Sequence, residues 1–154
     1  MGGKYNASTV GSVVVTITGE ADNKIDFITG RNGNGDKFTG STELVVDTGD
    51  ILTVNRLDCV IKLTIVEGST LDIGNLNMEG KNGTVELAIN FNIGEELNTE
   101  DWTVLSGITL DQIGAFYLNG ELTAYENGVL GDYQLVEAQE DDKTVIKFLA
   151  SDNL

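Results

Sequence analysis

Two stretches of this 154-residue chain, Glu43 to Leu57 and Lys62 to Leu76, superimpose at an offset of 19 residues. Leu44 then meets Leu63, Val46 meets Ile65, Gly49 meets Gly68, Leu52 meets Leu71, Val54 meets Ile73 and Leu57 meets Leu76. The shared pattern is L-x-[VI]-x-x-G-x-x-L-x-[VI]-x-x-L. A unit this short holds two or three strands separated by corners and buries no apolar face alone. Stacked units build a continuous core. Strands about 4.8 Å apart would set like residues over like, forming aliphatic ladders inside a parallel coil. The glycine at the fixed corner position suits a bend that needs positive φ. The pattern recurs more loosely upstream, where Val14, Thr16 and Gly19 precede Leu44, Val46 and Gly49 by 30 residues. Downstream, Val85 and Leu87 follow Leu63 and Ile65 by 22.

Alternation of apolar and polar residues runs through most of the chain, as in Val13-Val14-Val15-Thr16-Ile17 and Val85-Glu86-Leu87-Ala88-Ile89. Period two in Val, Ile, Leu and Thr is the mark of half-buried strands. Only Glu95–Asp101 and Leu110–Ala115 suit even a turn or two of helix. The expected fold is all-β: a short parallel β-solenoid of roughly four rungs from residue 10 to 91, inside a 1–91 unit, with an antiparallel cap over 92–154. Leu44, Val46, Leu52, Val54, Leu63, Ile65, Leu71 and Ile73 should point inward. The alternative is an antiparallel β-sandwich whose strand spacing coincides with the repeat. A leucine-rich repeat fits less well, because no helical return segment is visible.

The division near residue 91 comes from composition. Residues 1–90 hold 12 acidic and 7 basic side chains, net −5, whereas 91–154 hold 13 and 2, net −11. Tyr5, Phe27 and Phe38 are the aromatics of the first part. Phe91, Trp102, Phe116, Tyr117, Tyr125, Tyr133 and Phe148 crowd the second. A thin coil packs on aliphatics, and a cover for its last rung needs bulk. Two hairpins are expected in the cap: Ala115–Tyr125 turning at Asn119-Gly120, a favoured pair, and Tyr133–Leu149 turning near Glu140-Asp141-Asp142. Trp102 is expected against the end of the coil at Leu87 and Ile89. The N-terminal rung, near Val13–Thr18, should leave an open strand edge, a route to self-association.

A net charge of −16 repels phosphates, which argues against nucleic acid or anionic lipid as a partner. With no histidine in the chain, Ser-His and Cys-His nucleophiles and imidazole zinc sites are excluded. The single cysteine, Cys59, cannot form an internal disulfide. Its apolar setting, Cys59-Val60-Ile61, reads as core. No apolar stretch is long enough for a membrane helix, and the N-terminus lacks the pattern of a signal peptide. Met1-Gly2-Gly3 reads as an added start on a piece of a longer chain.

The stretches Val10–Gly19 and Gly30–Val46, rich in Gly, Thr and Val, resemble the rungs of bacterial autotransporter and adhesin passengers of the autotransporter-associated β-strand repeat type. Asp101–Gly107, Gly131–Val136 and Lys143–Leu149 are similar to the segments that end such repeats. The resemblance implies a right-handed parallel β-helix, secreted or displayed on a bacterial cell surface. It brings no catalytic residues with it. The rungs here are few and uneven, and no outer-membrane barrel is present in the sequence.

Sites of chemistry are sparse. Asp22-Asn23-Lys24-Ile25-Asp26 and Asn32-Gly33-Asn34-Gly35-Asp36 come nearest to calcium loops, but neither matches an EF-hand or the G-G-x-G-x-D repeat. Both read better as solvated turns, and Glu140-Asp141-Asp142 as a hairpin tip. Paired carboxylates could serve a glycosidase, but 25 acidic residues make some such pair unavoidable. Arg56 beside Asp58 reads as a local ion pair. Asn55, Asn75 and Asn77 fall near corners, where stacked amides can bridge rungs. Hence no catalytic, cofactor-binding or metal residue is assigned and no cofactor is expected. The expected function is a non-catalytic structural or adhesive module binding a host glycan or protein. The alternative is a fragment of a polysaccharide-active β-helix lyase or hydrolase.

Overall fold

The computed structural model of the chain describes residues 12–19, 23–30, 41–80, 83–84, 86–94 and 101–149. Among them the fold is all-β, with one short 3₁₀ turn at Leu110–Gln112. Strands β1 (Ser12–Thr18), β2 (Asn23–Thr29), β3 (Ser41–Asp47), β4 (Ile51–Asp58), β5 (Lys62–Val66) and β6 (Thr70–Asn77) fall alternately in two sheets. A small separate hairpin follows, β7 (Glu79–Gly80) with β8 (Gly83–Thr84). Then β9 (Ala88–Asn92), β10 (Trp102–Ser106) and β11 (Ala115–Leu118) resume the alternation. The chain finishes with β12 (Glu121–Leu122), β13 (Tyr125–Glu126), β14 (Val129–Leu130), β15 (Tyr133–Glu140) and β16 (Lys143–Phe148), all joined antiparallel.

Both sheets are therefore mixed. The first runs β1-β3-β5-β9-β11 in parallel and ends on antiparallel β12. The second runs β2-β4-β6-β10 in parallel and continues antiparallel through β16, β15, β14 and β13. Parallel pairing throughout residues 41–77 is not the pairing of an antiparallel sandwich. It also crosses the compositional boundary at residue 91, since β10 pairs with β6 and β11 with β9.

The 19-residue repeat is a register. Leu44 pairs with Leu63, Val46 with Ile65, Leu52 with Leu71, Val54 with Ile73 and Leu57 with Leu76. All eight residues expected to point inward are buried. The corners follow from the two-residue gaps in the pattern. Alternation along β4 breaks at Asn55 and Arg56, which are both exposed, and resumes with buried Leu57. The glycine corner also holds: φ is +66° at Gly49 and +89° at Gly68, a left-handed conformation that favours glycine. Ser69, wholly buried, ties adjacent corners by accepting from the N–H groups of Thr48 (2.9 Å) and Gly49 (3.0 Å).

The two loose copies need correction. Upstream, Val15 rather than Val14 pairs with Leu44, and Ile17 pairs with Val46, an offset of 29. A slip of one residue reverses every side chain, and Val14 is indeed 57% exposed. Three consecutive valines hide the alternation at that point. Downstream, Leu63 pairs with Ile89 and Ile65 with Phe91. The β7–β8 hairpin lengthens this connection, and Val85 lies outside the described residues.

Beyond residue 90, Phe91, Trp102 and Tyr133 gather around Phe148, while Phe116 packs on Tyr125. The Phe148 ring meets Phe91 edge-on (4.9 Å), stacks on Trp102 (5.6 Å) and meets Tyr133 edge-on (5.9 Å). Trp102 thus lies at the start of β10 in the second sheet, against Phe148, and packs on the core cluster that also holds Leu87 and Ile89. Its indole N–H donates to the Ser69 carbonyl at 2.8 Å. Both expected hairpins form. One turns at Asn119 (φ 51°) and Gly120 (φ 85°), the other at Asp141 (φ 53°) and Asp142 (φ 64°). Asn127-Gly128 makes a further turn, joining β13 to β14.

Candidate functional site

Corner geometry sets the ends of β2, β4 and β6 side by side. In this segment Ile28, Leu57 and Leu76 form one in-register row facing the core. Two other rows flank it: Phe27, Arg56 and Asn75, all exposed, and Thr29, Asp58 and Asn77, in which Asp58 is buried. Between these rows lies a groove of about 280 Å³ lined by Arg56, Leu57, Asp58, Asn75, Leu76 and Asn77.

The groove is polar and cross-linked. Asp58 is 4% exposed, and its carboxylate accepts from the Thr29 hydroxyl and the Asn77 amide, each at 2.9 Å. The backbone closes alongside, with Gly30 N–H donating to the Asp58 carbonyl (2.7 Å) and Cys59 N–H to the Asn77 carbonyl (2.8 Å). Buried carboxylates need such partners. The Arg56 guanidinium lies over the Phe27 ring, 4.7 Å from its centroid, a cation–π arrangement. Phe27 remains 44% exposed. One rim therefore offers a planar cation on an aromatic face, with side-chain amides beside it. This combination holds hydroxyl and amide groups by hydrogen bonding and apolar ring faces by stacking.

The residues weighed from the sequence are placed as follows. Asn77 bridges to Asp58, and Asn55 bridges to Asp26 through its amide at 3.0 Å, so asparagines do link neighbouring strands near the corners. Asn75 stands in register with Arg56. Arg56 and Asp58, expected as a pair, engage Phe27 on one side and Thr29 with Asn77 on the other. Asp26 of the first loop considered for calcium is hydrogen-bonded to Asn55. Asp22 and the second loop, Asn32–Asp36, lie outside the described residues. Among the described residues no three acidic or cysteine side chains come together as a metal-holding group. Asp141 and Asp142 occupy a hairpin tip. Cys59 is buried.

Two other polar features compare poorly with the groove. A hollow of about 480 Å³ at Gly19, Asp47, Thr48 and Gly49 sits on the glycine corner. There the Thr48 hydroxyl is already engaged, donating to the Asp50 carbonyl and accepting from the Asp50 N–H. Across the first sheet, Thr64 donates to Glu43 at 2.5 Å, while Asn90 donates to Asn92 and accepts from the Gly120 N–H. With Thr64 and Asn90 nearly buried, this chain of bonds joins strands and offers little to a ligand. Both basic residues of 91–154 contact carboxylates, Lys143 with Asp72 (3.1 Å) and Lys147 with Glu140 (2.9 Å). The hydrogen bond that Lys147 donates to Glu140 raises the Lys147 pKa above its ordinary value. Among the described residues no helix is long and apolar enough to cross a membrane.

No family model, characterised protein or solved structure matches this chain.

Proposed function

We propose that the chain is a short parallel β-solenoid of the autotransporter and adhesin passenger kind, a non-catalytic adhesive module at a bacterial surface or in secreted form. Strands that alternate between two sheets and pair in parallel, in register, support the solenoid reading. Parallel crossovers are almost always right-handed, which supports that hand for the coil. The antiparallel strands from β12 onward, with the cluster around Phe148, act as its cap, whereas β10 and β11 belong to the parallel run.

The observation that carries the binding function is the outward groove between the Phe27-Arg56-Asn75 and Thr29-Asp58-Asn77 rows. A guanidinium, two amides and an exposed ring suit a host glycan, or a peptide segment rich in hydroxyl and amide groups. The acidic surface disfavours phosphate-rich ligands. Asp58, held by two donors, serves as a positioning group within the groove.

A glycan array probed with the intact chain, run beside a reducing-sugar release assay, tests this reading. Binding that is lost in Arg56→Ala and Asn75→Ala, with no sugar released, is the expected result. Release of reducing ends that disappears on Asp58→Asn would instead establish the polysaccharide-active enzyme and overturn the adhesive reading.

A further inference from the structure

β1 and β2 are the outer strands of the two sheets, and among the described residues neither has a strand on its outer side. Among the described residues nothing covers the core at this end. Val15, Ile17 and Ile25 point inward yet are only partly buried, whereas Leu44, Val46 and Val54, one strand further in, are fully buried. Edges of isolated sheets are ordinarily defended by charge, proline or a bulge. β1 has none of these. Ser12-Val13-Val14-Val15-Thr16-Ile17-Thr18 contains no charged residue, Pro or Gly, and it pairs with β3 over seven residues without a shift in register. Uncharged, β-branched segments of this length favour edge-to-edge pairing.

The opposite end is closed differently. The parallel run stops beneath antiparallel strands, and the outermost strands there, β12 and β13, are two residues long and carry Glu121 and Glu126. Head-to-tail stacking would place β1 on a short, acidic edge. Head-to-head pairing would bring together the ends nearer the less acidic half, net −5 for residues 1–90 against −11 for 91–154.

We propose that the β1 edge docks a second copy of this chain, with the two β1 strands antiparallel about a two-fold axis at Thr16. Period two requires the axis to fall on a residue rather than between two, and Thr16 lies midway between the inward Val15 and Ile17. Val15 then faces the partner's Ile17 and Ile17 the partner's Val15, so both inward residues gain cover and the interface is self-complementary. Thr16, exposed in the single chain, faces the partner's Thr16, and the pairing brings no like charges together along β1.

Sedimentation equilibrium with amide hydrogen exchange on the intact chain tests the proposal, using two variants at the exposed central position. The wild type is expected to show twice the chain mass and protection of alternate β1 amides. Thr16→Lys sets two ammonium groups face to face without entering the core. It should halve the mass and remove that protection while leaving the circular dichroism unchanged. Thr16→Cys should oxidise to a covalent dimer. A strict monomer at every concentration, with or without β1 protection, would overturn the proposal. So would a dimer that survives Thr16→Lys, or a Thr16→Cys chain that stays uncrosslinked under oxidation.

Discussion

Replacing Leu63 by alanine probes the ladder where it is most confined. Leu63 is fully buried on β5, paired with Leu44 on one side and Ile89 on the other. Removing a buried leucine side chain to Cβ costs about 2–5 kcal/mol, more where the surroundings cannot close over the space. Here both neighbours are pinned by strand pairing, so a value of about 3–5 kcal/mol is expected, a large part of a typical 5–15 kcal/mol total. At about 2–4 °C per kcal/mol for a chain of this size, the melting temperature should fall by about 6–20 °C. Val14→Ala and Val15→Ala serve as internal controls for register. Val14 points outward, so its loss should change stability by no more than about 0.5 kcal/mol. Val15 points inward at the half-covered end and should cost about 1 kcal/mol. Urea titration of all three, with the m-value checked for constancy, gives the comparison. A loss below about 1 kcal/mol for Leu63→Ala, or a larger loss for Val14→Ala than for Val15→Ala, would refute the stacking and its register.

Three further outcomes are expected. Gly107 has φ +93°, and a Cβ there would lie 1.9 Å from the Ile73 carbonyl oxygen. Gly107→Ala should therefore cost at least about 3 kcal/mol in thermal unfolding, from left-handed strain plus displacement of the neighbouring strand. Trp102 is half-buried, so Trp102→Ala should cost about 3 kcal/mol, the low end for a core aromatic. Trp102→Phe, which mainly removes the hydrogen bond to Ser69, should cost only about 1 kcal/mol by the same assay. The Tyr125 hydroxyl donates to the Leu135 carbonyl at 2.7 Å, and burial, then the charge of Glu137, raises its pKa. The folded state thus favours neutral tyrosine, and this stabilisation is complete below about pH 10 and lost as pH rises through the raised value. Tyr125→Phe should reduce the alkaline loss of stability in urea titrations repeated across that range.

The repeat at residues 44–76 was legible because its corners are of equal length, so one offset aligns every inward residue at once. Unequal corners concealed the flanking strands. Gly19 follows Ile17 by two residues whereas Gly49 follows Val46 by three, so the glycines stand 30 apart while the strands are offset by 29, and the β7–β8 hairpin displaces Ile89 and Phe91 from the expected spacing. Trp102 was recognisable as bulk for the end of the fold. Its partner was not, because the Trp102–Phe148 contact joins strands far apart in sequence. The groove was hidden for another reason. Arg56, Asp58, Asn75 and Asn77 look like ordinary polar positions until the parallel register of β4 and β6 sets them side by side along one groove.

Cross-strand nuclear Overhauser contacts in the labelled chain test the central claim, parallel stacking in register, most directly. Parallel strands bring amide protons close to α-protons of the neighbouring strand, whereas antiparallel strands bring α-protons opposite one another at close range. Amide-to-α contacts are expected to link Leu44 with Leu63 and Leu63 with Ile89, with no strong α-to-α contacts between residues 41–47 and 62–66. Strong α-to-α contacts between those two segments would contradict parallel stacking in register.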